Sequence, residues 1–282
     1  MNASDITSDI SSDISSDING GAVNQAQRVA AIIPARMAAS RFPNKPLAPI
    51  LGIPLVEHVR LRVEMSTSVS TVAVATCDQE IFDVVTRNGG KAIMTSDKHL
   101  GCIDRIAEAA QSLTENIIVN VQGDEPLIRP ELIDALVAPL LRDDSLVCTN
   151  LIVPIRSEDE FLSPNAPKVV LSNDSNIMYI SREPIPSLKK AKTSDYQKYK
   201  QTGVIAFRSS FLQKFASWEP VEIEVIESVD MIRALVHGFP IRAVVAEATL
   251  IGVDAPSDIA LVEKALTDDP LFPRYAISRT GT

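Results

Sequence analysis

The sequence predicts an α/β protein with a mostly parallel sheet, helices on both faces of that sheet, and a β-rich insertion. Three observations support this fold class. Short apolar runs alternate with amphipathic stretches from Val29 onward, as is typical of parallel strands buried on both faces. The 282 residues, of which 45% are hydrophobic and 22% charged, suffice for a large core. Between about 146 and 208 the pattern changes to short β-rich runs with Pro and Ser between them.

The first half of the chain predicts a regular β-α succession. Pro54 suits the first turn of a helix, and Asn88-Gly89-Gly90 predicts a turn. The predicted strands lie at 29–33, 71–76, 91–94 and 117–121, and the predicted helices at 54–66, 79–87, 104–113 and 130–142. This alternation favours right-handed crossovers within a parallel sheet.

The second half predicts the β-rich insertion and a return to the α/β pattern. The predicted strands lie at 146–155, 167–173, 177–181, 202–208 and 241–247, and the helices at 210–216, 223–236 and 256–267. The segment 184–200 is polar and basic, which predicts an exposed excursion. Asp254 precedes the final helix and is well placed as its N-cap. We predict a single domain over 29–282 with the insertion around 146–208.

Residues 1–28 have a different composition and are predicted to be a disordered acidic tail. Their apolar content cannot offset the entropy lost on ordering so many residues. Aspartate and isoleucine each recur there every four residues: Asp5, Asp9, Asp13, Asp17, Ile6, Ile10, Ile14 and Ile18. The i, i+4 spacing of the isoleucines leaves a short partner-binding helix as the alternative.

Charge and composition exclude several classes of function. The formal charge of −9 argues against general attraction to nucleic acid or anionic lipid. No apolar run reaches the roughly 18 residues of a membrane span, and the N-terminus lacks the pattern of a signal peptide. Cys77, Cys102 and Cys148 are scattered without metal-binding spacing. The sequence therefore predicts a cytoplasmic protein with reduced thiols and no nucleic-acid partner.

A basic loop follows the first predicted strand. Arg36, Arg41 and Lys45 fall within ten residues, and Pro43 and Pro46 limit the motion of the loop. Because ligands of open α/β sheets gather at the carboxyl ends of strands, three cations there suit a polyanion such as a triphosphate. The alternative is a solvated basic loop. Neither the P-loop pattern nor the dinucleotide-binding glycine pattern is present in the chain.

Two acidic positions follow apolar runs and are candidates for binding a cation. The strand at 117–121 leads into Gln122-Gly123-Asp124, where Gly123 would allow a ligand to approach closely. Asp124, facing a triphosphate, suits Mg²⁺, which prefers carboxylates, phosphates and water. Asp254 is a candidate second ligand. For both acids the alternative is a local role in a turn or a helix cap.

Together the motifs resemble those of the CMP-3-deoxy-manno-octulosonate synthetases, which are cytidylyltransferases. The resemblance runs from about residue 29 to about residue 268. The motifs that carry it are IIPAR, SRFP and KPL within 32–47, VNVQGDEP, SPNAPKVV, YISREPIP and IGVDAP. It implies that CTP and a 3-deoxy-2-keto sugar acid give a CMP-sugar and pyrophosphate, with Mg²⁺ as cofactor. It also suggests a homodimer formed through the β-rich insertion.

The resemblance implies a role for each matching residue. Arg36, Arg41 and Lys45 match positions that bind the CTP phosphates and the sugar carboxylate. Arg105 matches a nucleotide contact, and Gln122 matches a position in the substrate pocket. The magnesium ligands correspond to Asp124 and Asp254. We therefore expect Arg36, Lys45 and Asp124 to be the catalytic residues.

The departures from the family lie mainly on the sugar side. Its His-Gln-Ser-Gly-Thr-(Asp/Glu)-Arg loop is 99–105 here, its His-Leu-Gly-Ile-Tyr-Gly-Tyr stretch is 201–207, and its Leu-Glu-His-Ile-Glu is 223–227. Gln201, Glu224 and Glu227 become candidates for contacts to the sugar. Since lost donors alter which hydroxyls are recognised, an amino or deoxy variant of the octulosonate is a candidate substrate. A nucleotidyltransferase with another acceptor, and a non-catalytic nucleotide-binding homologue, are the other hypotheses.

Overall fold

The computed structural model describes residues 28–38, 42–99, 101–190, 196–248 and 250–276. Its strands are β1 (Val29–Pro34), β2 (Pro49–Ile50), β3 (Ile53–Pro54), β4 (Thr71–Thr76), β5 (Lys91–Met94), β6 (Ile117–Asn120), β7 (Cys148–Pro154), β8 (Lys168–Leu171), β9 (Ile177–Ser181), β10 (Tyr199–Arg208) and β11 (Arg242–Val245). Its helices are α1 (Leu55–Val63), α2 (Gln79–Arg87), α3 (Cys102–Ala110), α4 (Pro130–Arg142), α5 (Glu158–Leu162), α6 (Ser209–Ala216), α7 (Glu222–Glu227), α8 (Ile232–Val236), α9 (Asp258–Thr267) and α10 (Phe272–Ala276).

A nine-stranded sheet carries the fold. Its main path has the order β11-β7-β10-β6-β1-β4-β5; off this path, β8 pairs with β10, and β9 pairs with β8. Strand β1 is parallel to both β4 and β6, and β5 continues the parallel half. Strand β10 is antiparallel to β6 and β7, while β11 runs parallel to β7. The mostly parallel sheet of the sequence prediction is confirmed.

Strand β1 shows why its sequence has no polar face. Val29, Ala31 and Ile33 belong to one buried apolar cluster, and Ala30 and Ile32 to another. Helices α1, α2 and α4 contribute to the first cluster, and α3, α6 and α8 to the second. Helices therefore cover both faces, as predicted, and the central strand is apolar throughout.

The β-rich stretch is partly integral to this sheet. Strands β7 and β10 extend the central sheet, because β10 lies between β6 and β7, and β8 with β9 forms an antiparallel pair beside them. Strand β10 begins at Tyr199, before the predicted 202, and its register with β7 shifts between Gln201 and Ile205. Residues 191–195 of the predicted excursion lie outside the described residues.

Two details of the sequence prediction are wrong. The single helix expected over 223–236 is divided into α7 and α8, because Ser228 has a left-handed backbone conformation with φ 52°. The helix predicted over 256–267 is α9, which begins at Asp258 with Ser257 at its N-cap position, so Asp254 is not the cap. Instead, the Asp258 carboxylate accepts hydrogen bonds from the amides of Asp254 and Ala255, both at 2.8 Å.

A third apolar cluster brings the C-terminal segment back to the start of the fold. Ile50 and Leu55, from the β2-β3 hairpin and α1, pack against Val253, Val262 and Leu266. This packing places the segment before α9 beside the loop that follows β1. The acidic tail lies almost wholly outside the described residues, so the division into tail and domain stays a prediction. Within the described ranges, no helix has the length and apolar character needed to cross a membrane.

Candidate active site

A cavity of about 490 Å³ opens where β1 and β6 end. Six residues that the sequence singled out contribute to its wall: Arg36, Lys45, Arg105, Gln122, Asp124 and Asp254. Residues separated by more than 200 positions in the chain thus meet at the carboxyl ends of two adjacent parallel strands. Arg41 lies outside the described residues, so its predicted role stays a prediction.

Lys45 connects three segments of this site. Its Nζ lies 2.7 Å from Asp124 Oδ2 and donates to the carbonyl oxygen of Val253 at 2.9 Å. The lysine occupies a short 3-10 turn that begins after Asn44, whose φ is 60°. The side chains of Lys45 and Asp124 are 16% and 34% exposed, so the ion pair is partly shielded from water. The predicted basic loop therefore contacts Asp124 and the residue that precedes Asp254.

Asp124 and Asp254 lie close together through their backbone. The amide of Val253, adjacent to Asp254, donates to the carbonyl oxygen of Asp124 at 2.9 Å. Both carboxylates belong to the wall of the cavity, and hard oxygen donors of this kind suit Mg²⁺. The described residues contain no group of three or more acidic, His or Cys side chains able to hold a metal ion. A cation here would therefore need phosphate oxygens or water as further ligands.

The structure gives Gly123 a role that differs from the predicted one. A Cβ atom at this position would lie 2.8 Å from the carbonyl oxygen of Pro34. The glycine therefore allows the ends of β1 and β6 to approach each other, where the sequence suggested close approach of a ligand. The close contact brings the basic loop and Asp124 to the same edge of the sheet.

Arg105 and His99 form the helical side of the cavity. The buried Arg105 guanidinium donates to Thr95 Oγ1 at 2.5 Å and to the carbonyl oxygen of Ser96 at 3.3 Å. His99 is paired with Glu108, which also accepts from the amide of Ser96 at 2.9 Å. That backbone hydrogen bond, together with His99, lowers the pKa of Glu108. The loop before α3 is therefore tied to the helix by charged groups.

A second cavity of about 450 Å³ adjoins the first, and Cys102, Gln122 and Asp254 belong to the walls of both. The predicted Gln201 lies in its wall, at the register shift of β10. Such irregularities redirect side chains out of the regular ladder. A Cβ atom on Gly203 would lie 2.3 Å from Gln122 Cγ, so this glycine provides the space that the Gln122 side chain occupies.

Arg182 is a cation of the second cavity to which the sequence analysis assigned no role. Its Nε, Nη1 and Nη2 donate to three backbone carbonyl oxygens, those of Glu227 at 2.6 Å, Pro164 at 2.8 Å and Ser228 at 2.9 Å. The buried Lys168 donates to Ser163 O and to Arg182 O, and burial lowers its pKa. The only signal in the sequence was the position of Arg182 inside YISREPIP.

The structure does not support direct sugar contacts by Glu224 and Glu227, which line neither cavity. Glu224 is 5% exposed and forms a two-point ion pair with Arg233, at 2.8 and 2.5 Å. Glu227 accepts from Ser181 Oγ at 2.7 Å and from the amide of Arg182 at 2.8 Å. These contacts give Glu224 a role in the fold and Glu227 a role in holding Arg182, and the sugar contacts of both residues stay predictions.

Glu125, which the sequence analysis also left without a role, faces the second cavity. Burial, aided by the charge of Asp124 and opposed by that of Lys200, raises its pKa to about 8. Its Oε2 atom is buried and has no hydrogen-bond partner among the described residues. The carboxyl group is therefore a desolvated acid beside the candidate cation site.

Cys102 is an unreactive thiol. Burial, aided by the charge of Asp230, raises its pKa to about 11, and Gln122 Nε2 donates to its Sγ at 3.4 Å. A thiol of such high pKa is protonated at neutral pH and is a poor nucleophile. His58 is a structural residue, since its ring nitrogens bond Tyr275 Oη at 2.9 Å and the carbonyl oxygen of Ile50 at 2.8 Å.

Comparison with known proteins agrees with this geometry. Residues 30–244 match the family model described as cytidylyltransferase. The 3-deoxy-manno-octulosonate cytidylyltransferase of Geobacter metallireducens is 42% identical over 250 residues, covering 85% of this chain and 98% of that protein. The enzyme of the same name from Syntrophus aciditrophicus is 42% identical over 243 residues, with the same coverage of 85% and 98%.

A solved structure is similar over nearly the same span. It is CMP:2-keto-3-deoxy-manno-octonic acid synthetase complexed with CTP, at 33% identity and a TM-score of 0.81. The match covers 86% of this chain and 99% of that one. The family match and these relatives show that the chain belongs to the cytidylyltransferase family, among the 3-deoxy-manno-octulosonate cytidylyltransferases.

Proposed function

We propose that the protein transfers the cytidylyl group of CTP to the anomeric hydroxyl of 3-deoxy-manno-octulosonate or a close variant of this sugar acid. The hydroxyl oxygen forms a bond to the α-phosphorus, the bond from that phosphorus to the bridging oxygen breaks, and pyrophosphate leaves. The observation that carries this proposal is the pair of adjoining cavities with Gln122 and Asp254 in the wall of both. Two substrates held there would meet at the shared wall.

The first cavity suits the triphosphate of CTP. Arg36 and Lys45 from the basic loop and Arg105 from α3 supply positive charge to its wall. Phosphoryl transfer depends mainly on positioning and on neutralising charge, which fixed cations provide. Arg105, held by two hydrogen bonds, is already oriented, whereas Arg36 is exposed and free to adjust to the nucleotide.

Asp124 and Asp254 are the residues that would hold Mg²⁺. The ion, when bound with the nucleotide, neutralises phosphate charge and acidifies a nearby hydroxyl. Lys45 bonds one oxygen of Asp124. Lys45 and a cation would compete for this oxygen, and a displaced Lys45 would be free to contact a phosphate.

The second cavity suits the sugar acid. Arg182 is fixed by three carbonyl oxygens, and Lys200 stands in the same wall, so positive charge faces a bound carboxylate. Gln201 and Gln122 offer amide groups to hydroxyls. The differences at 99–105 and 201–207 are consistent with a modified octulosonate as the substrate. The activated sugar would be used to build lipopolysaccharide or another surface polysaccharide. The cytoplasmic location and the homodimer stay predictions.

Pyrophosphate release tests the proposal. The protein is incubated with Mg²⁺, one of the four ribonucleoside triphosphates, and each member of a panel of 2-keto sugar acids. We expect release only with CTP and a 3-deoxy-2-keto acid, with the CMP-sugar detected by mass spectrometry. Release with another nucleotide or acceptor would favour a different nucleotidyltransferase. CTP binding by folded protein with no release for any acceptor would favour the non-catalytic homologue.

A further inference from the structure

Two buried acceptor atoms without partners lie in residues of the second cavity wall. They are Glu125 Oε2 and Asn120 Oδ1, and neither has a hydrogen-bond partner among the described residues. More than about nine in ten buried polar atoms of native proteins are paired, so such atoms at a cavity point to a missing donor. Both residues flank Gln122, which belongs to the wall shared with the first cavity.

The orientation of Asn120 is set by its other polar atom. Its Nδ2 donates to the carbonyl oxygen of Gly203 at 2.7 Å, which leaves Oδ1 as the acceptor. The residue is fully buried, and it lies in β6 opposite the irregular part of β10. The third unpartnered atom of the described chain, Asn150 Oδ1, belongs to neither cavity wall and carries no such implication.

The cations of the cavity wall are engaged elsewhere. Lys200 Nζ lies 2.6 Å from Glu160 Oε1, and the Arg182 guanidinium donates to three backbone carbonyl oxygens. Asp124, the acid next to Glu125, bonds Lys45. No described side chain is left in position to donate to Glu125 Oε2. A donor group of the molecule that fills the cavity would complete this site.

We infer that Glu125 accepts a hydrogen bond from one donor group of the acceptor sugar and thereby determines which sugar acid is used, with Asn120 accepting from a neighbouring group. This inference rests on the proposed function. The donor is a hydroxyl or an ammonium group, because either can donate a hydrogen bond to a buried carboxyl oxygen. A sugar that lacks the donor leaves Glu125 unpaired, which is how sites built for hydrogen bonding discriminate strongly.

The test compares enzyme variants against substrate analogues. Wild type, Glu125→Ala, Glu125→Gln and the surface control Glu131→Gln are assayed for pyrophosphate release; the Glu131 side chain is 62% exposed. The acceptors are the best sugar acid, analogues that each lack one hydroxyl, and an analogue with an amino group in place of a hydroxyl. For each pair we measure kcat/KM for the sugar and KM for CTP.

We expect wild type and Glu131→Gln to discriminate against one deoxy analogue by about tenfold or more, and Glu125→Ala to abolish that discrimination alone. The KM for CTP should change less than about twofold, because Glu125 faces only the second cavity. Glu125→Gln keeps an acceptor oxygen and should retain part of the discrimination. If wild type prefers the amino analogue and Glu125→Gln does not, the donor is an ammonium group.

Three outcomes would overturn the inference. They are a wild type that treats every deoxy analogue alike, a Glu125→Ala variant whose kcat/KM falls equally for all acceptors, and variants that match wild type. If Glu125→Ala does not fold, which CTP binding and thermal melting reveal, Glu125→Gln alone decides by the same criterion. Failure of the proposed function looks different, because wild type itself then releases no pyrophosphate with any keto acid.

Discussion

Replacing Glu125 by Gln should stabilise the protein, and more so at high pH. The carboxyl has its pKa raised from 4.5 to about 8, mainly by burial. Each factor of ten in the dissociation constant corresponds to about 1.4 kcal/mol, so the ionised form costs the folded state about 5 kcal/mol relative to the unfolded chain. Glutamine has nearly the same shape and carries no charge at any pH, so it removes this cost.

The sign follows from which state holds the proton. Below about pH 4.5 the group is protonated in both states and has no effect on stability. Between about 4.5 and about 8 the unfolded chain loses the proton while the folded protein keeps it, so stability falls as pH rises. Above about 8 both states are ionised and the loss is complete.

Urea unfolding of wild type and Glu125→Gln, with EDTA and no nucleotide, measures the effect. The gain in unfolding free energy should be larger at about pH 8.5 than at about pH 5.5 by about 3 kcal/mol. Other titrating groups are common to both proteins and cancel in this comparison, and Glu131→Gln should show no such dependence. A gain that is the same at both pH values would refute the reasoning, since it would mean that Glu125 ionises normally.

Three further outcomes follow from other contacts. Lys45→Met should strengthen the binding of Mn²⁺ in the absence of CTP, because Lys45 pairs with Asp124 Oδ2. Electron paramagnetic resonance measures this binding, and unchanged or weaker binding would contradict the prediction. Gly203→Ala should raise the KM for the sugar acid and cost about 1–3 kcal/mol in urea unfolding, because its Cβ would fall 2.3 Å from Gln122 Cγ; wild-type values for both would contradict it. Cys102 should resist iodoacetamide at about pH 8 in the folded protein, as followed by mass spectrometry, because its pKa is about 11; rapid alkylation would show a reactive thiolate.

Much of the sheet could be predicted from the sequence, because buried parallel strands are apolar on both faces. The runs that became β1, β4 and β6 are of this kind, and their ends marked the position of Lys45 and Asp124. Those two residues are 79 positions apart and form an ion pair. Strand ends meet at one edge of a parallel sheet, so this part of the site follows from local pattern and one topological rule.

The missed features depend on contacts that no local pattern contains. Glu224 was a candidate for a sugar contact, and the fold places Arg233 against it. Ser228, in the left-handed conformation, interrupts a sequence pattern that is otherwise helical. The carbonyl oxygen of Ser228 accepts a hydrogen bond from Arg182. Glu125 stands next to Asp124 in sequence, yet its carboxyl belongs to the other cavity. Burial and long-range partners decide these roles, and both arise only after folding.

The site is therefore a property of the assembled fold more than of any one loop. Lys45 bonds both Asp124 and the carbonyl oxygen of Val253, and Asp124 in turn accepts from the Val253 amide. Val253 is itself buried against Ile50 in the cluster that seats α9. The packing of α9 thus fixes the position of Asp254 relative to the basic loop. Because one residue joins the apolar cluster to the polar contacts, a change in that packing would alter cation and nucleotide binding without touching either ligand.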